Sequence, residues 1–342
     1  MKASRLDLTL LPAEELQFLR RIAGALLVLF LFFALFATLH RFYSEKFFRI
    51  TGEANWIWSS QRLESGKLVG HELKSGKPIV FFAVRDFVLH DDPGTARIKV
   101  FGDPEYTLFM NGVRLGGRRT AGAGPLDLYD VSAVAKKGVN RVVAAVRSEK
   151  GVGGFLFALD ASPTRQNVLI SDGRWKIFHS WSERLPFADP TERPQSASVA
   201  GRPPFGRWNF LPLSRTAIVP SPVGSVTQPG SIMPRHTRRV ATAQPEIRSL
   251  SGVAVVVRVP VVATLFDFGP VQGYGRLAFP ANEQRLVRVR YINDPSELSD
   301  IDGTFESFVL ARGERLLTDP EKRAFRYMAV FATDVNAVVI TE

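Results

Sequence analysis

One apolar segment constrains this chain more than any other feature of its sequence. Residues 22–39 read IAGALLVLFLFFALFATL and contain no charged side chain. As a helix rising about 1.5 Å per residue, this run is about 27 Å long, which matches the hydrocarbon core of a bilayer. Basic residues flank it at both ends, Arg20-Arg21 before it and His40-Arg41 after it. We therefore predict a transmembrane helix over residues 22–41, with anchor positions at Ile22, Leu26, Phe30, Phe33, Phe36 and Leu39.

Two alternatives to an anchor are a buried core helix and a cleaved signal peptide. A core helix does not explain why basic residues border both ends of an uncharged run. A signal peptide has a shorter apolar region and Ala-x-Ala spacing before its cleavage site. The present run ends in Ala37-Thr38-Leu39-His40, which lacks that spacing. An uncleaved anchor fits the sequence best.

The flanking segments predict how the helix begins and is oriented. Pro12, followed by Glu14 and Glu15, is typical of a helix start, so helix is expected from about residue 12. The tail over residues 1–21 holds Lys2, Arg5, Arg20 and Arg21, one basic residue more than the decade after the helix. This difference favours a cytoplasmic N-terminus and an exported C-terminal part.

Charge and cysteine content limit the classes of partner and cofactor. Lys and Arg outnumber Asp and Glu by 44 to 33, which gives a formal charge of +11. Such a surplus favours anionic partners such as lipid headgroups, acidic glycans or an acidic protein face. The basic residues are scattered along the chain, so no nucleic-acid partner is expected. The absence of cysteine excludes disulfides, thiolate metal sites, iron–sulfur clusters and c-type haem attachment.

Beyond residue 50 the pattern changes to short alternating runs that are separated by turn residues, which predicts a mainly β structure. The strongest local signal is Asn111-Gly112 between two apolar runs, since both central residues of a type I′ hairpin turn need a positive φ. Runs at this spacing are typical of antiparallel β-sandwiches. We predict one sandwich over residues 50–219 and a second over 250–342. The Pro-, Ser- and Thr-rich residues 220–249 are expected to form a linker or extended arm.

Several segments carry a resemblance to a known family. They look like a galactose-binding-like jelly roll and, more narrowly, like the non-catalytic β-sandwiches of bacterial α-L-rhamnosidases. These segments are Ala54-Asn-Trp-Ile-Trp58, Tyr106-Thr-Leu-Phe-Met-Asn-Gly-Val-Arg-Leu-Gly116, Leu128-Tyr-Asp-Val131, Gly138-Val-Asn-Arg-Val142, Gly153-Gly-Phe-Leu156, Asp172-Gly-Arg-Trp175, Pro203-Pro-Phe-Gly-Arg-Trp208, Leu265-Phe-Asp-Phe-Gly269 and Phe325-Arg-Tyr-Met-Ala-Val330. The resemblance covers about residues 53–342 and implies two sandwiches. Those enzymes continue into a helical barrel with the catalytic carboxylates, which has no counterpart in these segments, so the resemblance implies a fold rather than an activity.

Sequence motifs for catalysis are missing. There is no nucleophile elbow, Walker phosphate loop or Rossmann glycine fingerprint, and the five histidines have no metal-ligand spacing. Acidic residues near predicted strand ends could serve glycoside hydrolysis, which needs two carboxylates across one bond. The sequence brings no two of them together, and turn residues with solvated side chains are the preferred interpretation. We expect no catalytic residue, cofactor or metal. The acidic candidates are Asp86, Asp91, Asp92, Asp103, Glu105, Asp300, Asp302 and Glu306.

Contacts to a glycan or a partner are expected from aromatic and basic residues. Trp175, Trp181 and Trp208 lie in loop-rich sequence, where an exposed ring can stack on a sugar. Arg118-Arg119, just past the hairpin, could hold a carboxylate or phosphate, although a solvated loop is the simpler interpretation.

Two functional hypotheses follow. The first is a non-catalytic accessory subunit that stabilises a membrane protein complex through exported β domains, with a respiratory or photosynthetic assembly as host. The second is an envelope protein that binds carbohydrate. Both expect membrane lipids as neighbours. Both also expect a location in the bacterial inner membrane with the bulk of the chain in the periplasm or outside the cell.

Overall fold

The structure, a computed structural model, describes residues 13–342 apart from 60–76, 121–123, 162–166, 207, 209–210, 221–230, 251–252, 281–282, 300–304, 333–334, 336 and 342. It divides into two units, residues 1–50 and 51–342. The described part of the first unit is a single helix, and the second unit is built mainly from β-sheets. The predicted class, mainly β with one N-terminal apolar helix, is confirmed.

Helix α1 (Ala13–Thr51) begins where the acidic residues after Pro12 predicted a helix start. Its apolar part, Gln17–Phe42, has a mean hydropathy of 2.7, and none of this part is buried. It is therefore long and apolar enough to cross a membrane. All six predicted anchor positions are exposed on this helix, from 40% at Ile22 to 69% at Phe30. The helix ends at Thr51, where the following residue, Gly52, takes the left-handed φ of 61° that often ends helices.

The first β-sandwich packs two antiparallel-rich sheets face to face. The first sheet has the order β12-β1-β8-β3-β6-β13, with β9 beside β8, and the second has the order β11-β10-β2-β7-β4-β5. Their facing sides form one core, which includes Trp58, Phe81, Phe157 and Trp175. The strands are β1 (Trp56–Trp58), β2 (Ile79–Leu89), β3 (Ala96–Asp103), β4 (Glu105–Met110), β5 (Val113–Arg119), β6 (Leu126–Asp130), β7 (Gly138–Ser148), β8 (Gly154–Ala161), β9 (Leu169–Ile170), β10 (Lys176–Phe178), β11 (Gln195–Ser196), β12 (Ser198–Gly201) and β13 (Leu213–Ile218).

The hairpin β4–β5 has the predicted turn. Asn111 and Gly112 adopt φ values of 50° and 85°, as a type I′ turn requires. Strand β5 is the edge of the second sheet, because only β4 pairs with it in the described sheet. The hairpin therefore presents the residues of β5 at a boundary of the sandwich.

The remaining strands form a further sheet in the order β14-β15-β19-β16-β17, with β18 and β20 also paired to β15. A 3₁₀ helix, Pro295–Ser299, interrupts them. Phe266, Phe268, Phe308 and Met328 belong to their core. The strands are β14 (His236–Leu250), β15 (Val253–Ala278), β16 (Arg285–Ile292), β17 (Glu306–Leu310), β18 (Leu316–Thr318), β19 (Arg323–Phe331) and β20 (Ala337–Thr341).

Strand β14 corrects the prediction of a linker over residues 220–249. Residues 221–230 lie outside the described part, but His236–Leu250 pair along their whole length with β15. The sequence looked like a linker because β14 is an edge strand, which needs no apolar alternation and tolerates Pro245.

The distal part of this pairing forms a two-stranded ribbon, defined here as residues 244–250 and 253–259. Its strands pair with each other, from Gln244 opposite Val259 to Leu250 opposite Val253. Strand β19 joins β15 only from Thr264 onward. A valine-rich run such as the start of β15 is typical of a buried strand. Val257 and Val259 are nevertheless half-buried, since the described ribbon has no third strand.

Within the unit 51–342, the first β-sandwich packs against the sheet formed by β14 to β20. These are called the two sets of sheets below. Val80, Phe82 and Phe178 of the second sheet share an apolar cluster with Val309 and Ala311. The buried Arg147 donates to the Val309 carbonyl oxygen at 2.6 Å and forms an ion pair with Glu314. Apolar contacts and a buried ion pair therefore hold the interface together.

Candidate functional site

Two of the three predicted tryptophan contacts lie in the core. Trp175 is fully buried, and its Nε1 donates to the Ile170 carbonyl oxygen at 2.8 Å. Trp208 is fully buried too, where it stacks on Trp56 with 4.2 Å between ring centroids. Its Nε1 donates to Asp103 at 2.7 Å. Neither ring has an open face for a sugar, so the prediction is wrong for both residues, which pack despite their loop-rich sequence.

Trp181 differs from the other two, because its ring is half-buried at the interface between the two sets of sheets. It packs against Phe82 and Phe109, with ring centroids 5.2 Å and 5.7 Å away. Its backbone N–H donates to the Arg312 carbonyl oxygen at 2.8 Å, which holds the segment in place. Trp181 borders a cavity of about 380 Å³ that Arg114 and Arg276 also border.

The predicted arginine pair lies on strand β5 rather than in a solvated loop. Arg118 forms an ion pair with Asp127 at 2.6 Å. Arg119 contacts Glu105 at 2.7 Å and Glu306 at 2.5 Å. Both guanidinium groups are therefore bound to carboxylates of the chain itself, which leaves them poorly placed to grip an external anion.

Acidic residues do converge at one place between the sheets. Glu105 and Glu306 border a cavity of about 520 Å³. Both carboxylates bind the same guanidinium group, that of Arg119, and Arg147 lies 3.5 Å from Glu105. The arrangement is an ion-pair network that connects the two sets of sheets. Of the other acidic candidates, Asp300 and Asp302 lie outside the described residues.

A second group of cationic residues lies where β5 faces β15. We call the space there the arginine cleft; it is bordered by Arg114, Arg276, Tyr129, Thr318 and Trp181. It comprises the cavity beside Trp181 and a neighbouring cavity of about 450 Å³. Arg114, Arg276 and Thr318 border both cavities. Neither arginine forms an ion pair with any residue that the structure describes.

The pKa values of both arginines are lowered, as expected for buried positive charges without a counter-charge. Burial lowers the pKa of Arg114, and the positive charge of Arg276 lowers it further. Burial also lowers the pKa of Arg276. In contrast, the pKa of Arg147 is raised, because Glu314 and Glu105 outweigh the effect of its burial. A desolvated guanidinium group without a carboxylate is unfavourable, and an anion would relieve it.

Hydrogen bonds fix the floor of the arginine cleft. The Tyr106 hydroxyl donates to Asp127 at 2.6 Å and lies 3.1 Å from the Tyr129 hydroxyl. Because the proton of Tyr106 is used on Asp127, Tyr129 donates to Tyr106 and keeps its lone pairs for another partner. Burial raises the pKa of Tyr129 to about 12, so its hydroxyl is neutral at ordinary pH.

Sequence reasoning missed Arg114 and Arg276. Each stands alone between apolar or small residues, Val113 and Leu115 in one case and Gly275 and Leu277 in the other. They are 162 positions apart, and only the docking of the two sets of sheets brings them to one cleft. The single available signal was an arginine inside each apolar strand pattern.

Comparisons with known proteins concern the fold. The models of known protein families gave no match, and neither did the curated proteins. Among solved structures, the chain is similar to the α-L-rhamnosidase from Dictyoglumus thermophilum, with 15% identity over 84% of this chain and 35% of that one, and a TM-score of 0.49. The α-L-rhamnosidase from Aspergillus terreus gives 16% identity over 84% and 36%, with a TM-score of 0.46.

A lectin is also similar. The lectin from Pleurotus ostreatus in complex with GalNAc has 14% identity over 85% of this chain and 77% of that one, with a TM-score of 0.39. The chain spans about a third of the length of the rhamnosidases named above. At these identities and TM-scores the function has to be argued from the chain's own residues.

Proposed function

We propose that this chain is a membrane-anchored, non-catalytic accessory subunit that stabilises a membrane protein complex through its β-rich part. Helix α1 is the anchor, and the ribbon is the contact with another subunit. The ribbon is the observation that carries the proposal. A cytoplasmic N-terminus, an exported β-rich part and a location in the bacterial inner membrane belong to the same proposal.

The ribbon needs support from outside its own two strands. An isolated two-stranded hairpin is marginally stable in water, and its unpaired edges invite pairing with another chain. The ribbon lies beyond the point where β19 joins β15. At its base, Thr242 donates to the Leu298 carbonyl oxygen at 3.0 Å. A surface or strand of a neighbouring subunit would complete the pairing.

The test is to trim the ribbon and follow the companions of the chain. Replacing residues 245–258 by Asn-Gly leaves Gln244 opposite Val259, across a two-residue turn suited to hairpins. After purification in mild detergent from the native membrane, mass spectrometry should find companion subunits with the unaltered chain and lose them with the trimmed one. Trp181→Ala, which leaves the ribbon intact, is the matched control and should keep the companions.

Two results would contradict the subunit proposal. One is recovery of the unaltered chain as a lone monomer in several mild detergents. The other is a trimmed chain that keeps every companion. The melting temperature of the trimmed chain should stay close to that of the unaltered one, because the removed strands pair with each other in the described sheet.

A second candidate function, carbohydrate binding at the cell envelope, is favoured by Trp181. Its half-buried ring borders a cavity whose size is ordinary for a small-molecule site. We expect Trp181→Ala to lower the affinity for a bound glycan about tenfold or more, since stacking on an aromatic face supplies much of such binding. A glycan array followed by calorimetry measures this affinity. The control is Trp175→Phe, which changes a fully buried ring. No glycan signal from the unaltered chain would remove this candidate.

A further inference from the structure

The arginine cleft contains a mismatch of charge. Arg118, Arg119 and Arg147, which lie close to it in the fold, are each bonded to a carboxylate of the chain. Arg114 and Arg276 have no such partner among the described residues. The Nε of Arg276 is buried and has no hydrogen-bond partner. A buried guanidinium N–H without an acceptor is costly, which adds to the cost of the unpaired charge of Arg276.

We propose that the arginine cleft binds an acidic saccharide, with Arg114 and Arg276 contacting its carboxylate. The proposal rests on the second candidate function and specifies its ligand. Two guanidinium groups on facing elements can bracket one carboxylate, each through parallel N–H donors. The saccharide class follows from the rest of the cleft, where Trp181 borders the cavity of about 380 Å³, Tyr129 borders the cavity of about 450 Å³, and Thr318 borders both.

The charge balance supports an anion over a neutral ligand. Lys322 also borders the cavity of about 450 Å³, and no Asp or Glu does. On the Trp181 side, the acidic groups are Glu183, which is exposed, and Glu314, which is buried and bound to Arg147. A neutral sugar would leave the two guanidinium groups without a counter-charge and would gain only its stacking and hydroxyl contacts.

The experiment is a calorimetric titration of the full chain in detergent micelles. The probes are trigalacturonate, the neutral galactotriose and inorganic phosphate, each at low and at high salt. The variants are Arg114→Gln and Arg276→Gln, and the control is Arg193→Gln, which changes an exposed arginine outside the cleft. We expect trigalacturonate to bind at least about tenfold more tightly than galactotriose, because a hydrogen bond to a charged group is worth more than one between neutral groups.

Each cleft variant should lower the affinity for trigalacturonate about tenfold or more, and Arg193→Gln should leave it unchanged. High salt should weaken the binding of trigalacturonate and not that of galactotriose. Equal binding of the acidic and the neutral trisaccharide would overturn the anion site and leave carbohydrate binding standing. Phosphate bound as tightly as trigalacturonate would overturn the saccharide assignment. Binding of no probe would overturn both.

Stability measurements guard against variants that merely misfold. Removing one of two repelling charges that have no partner should leave the melting temperature of the unliganded chain equal to or above that of the unaltered chain. Trigalacturonate should raise the melting temperature of the unaltered chain, because a ligand that binds only the folded state stabilises it, and should not raise that of the variants. A fall in the melting temperature of both unliganded variants would assign the two arginines a structural role instead.

Discussion

Single residues decide how much of this chain can be understood from its sequence. Asn111 and Gly112 were recognisable because a type I′ turn demands a positive φ at both positions, and few residue types supply it. The tryptophans were not distinguishable, because burial depends on what packs around a ring. Trp175 and Trp208 are buried in the core, whereas Trp181 is half-buried at the boundary between the two sets of sheets. Arg114 and Arg276 gave no usable signal, because their meeting is a product of the tertiary structure.

The turn at Gly112 provides a prediction at this scale. Gly112→Ala should destabilise the fold by about 1–2 kcal/mol, since a left-handed residue with a Cβ is strained. The added Cβ would also collide with the ring of Phe187. Chemical denaturation followed by tryptophan fluorescence measures the effect. Gly94→Ala is the control, because a Cβ at Gly94 meets nothing within 4 Å, and it should change stability little. Equal effects from the two substitutions would show that the turn geometry is unimportant.

Secondary-structure elements were predictable where one physical requirement dominates the sequence. Helix α1 follows from an uncharged apolar run with an acidic start, and the described helix begins at Ala13, close to the expected position. Strand β14 was missed, because an edge strand that pairs with a single neighbour carries no apolar period. The ribbon is thus the element that the sequence represents least well.

The whole molecule depends on how the two sets of sheets dock. Residues of β5 and β7 meet residues of β15, β17 and the segment around Glu314, and the arginine cleft and the ion-pair network both arise there. The sequence predicted two sandwiches but offered no means of placing them side by side, since contacts between residues more than a hundred positions apart leave no local pattern.

The pair Arg147–Glu314 provides a prediction at this scale. Both side chains are buried, with 6% and 7% exposure. Arg147→Met should destabilise the chain by about 3–5 kcal/mol, because it leaves the Glu314 carboxylate buried without its partner. Combining it with Glu314→Met should restore much of the loss. Denaturant unfolding monitored by tryptophan fluorescence measures both. A double variant as unstable as the single one would show that packing, rather than the unpaired charge, sets the stability.

The position of the arginine cleft also decides how its ligand can be found. One wall comes from the hairpin β4–β5 and the other from β15 and β18, so neither half of the β-rich part contains a complete cleft. A binding screen with separately expressed fragments would detect no ligand even if the intact chain binds it well. Conversely, a ligand in the cleft contacts both halves at once. Its binding should therefore strengthen the association of the two halves, and separation of the halves should weaken its binding.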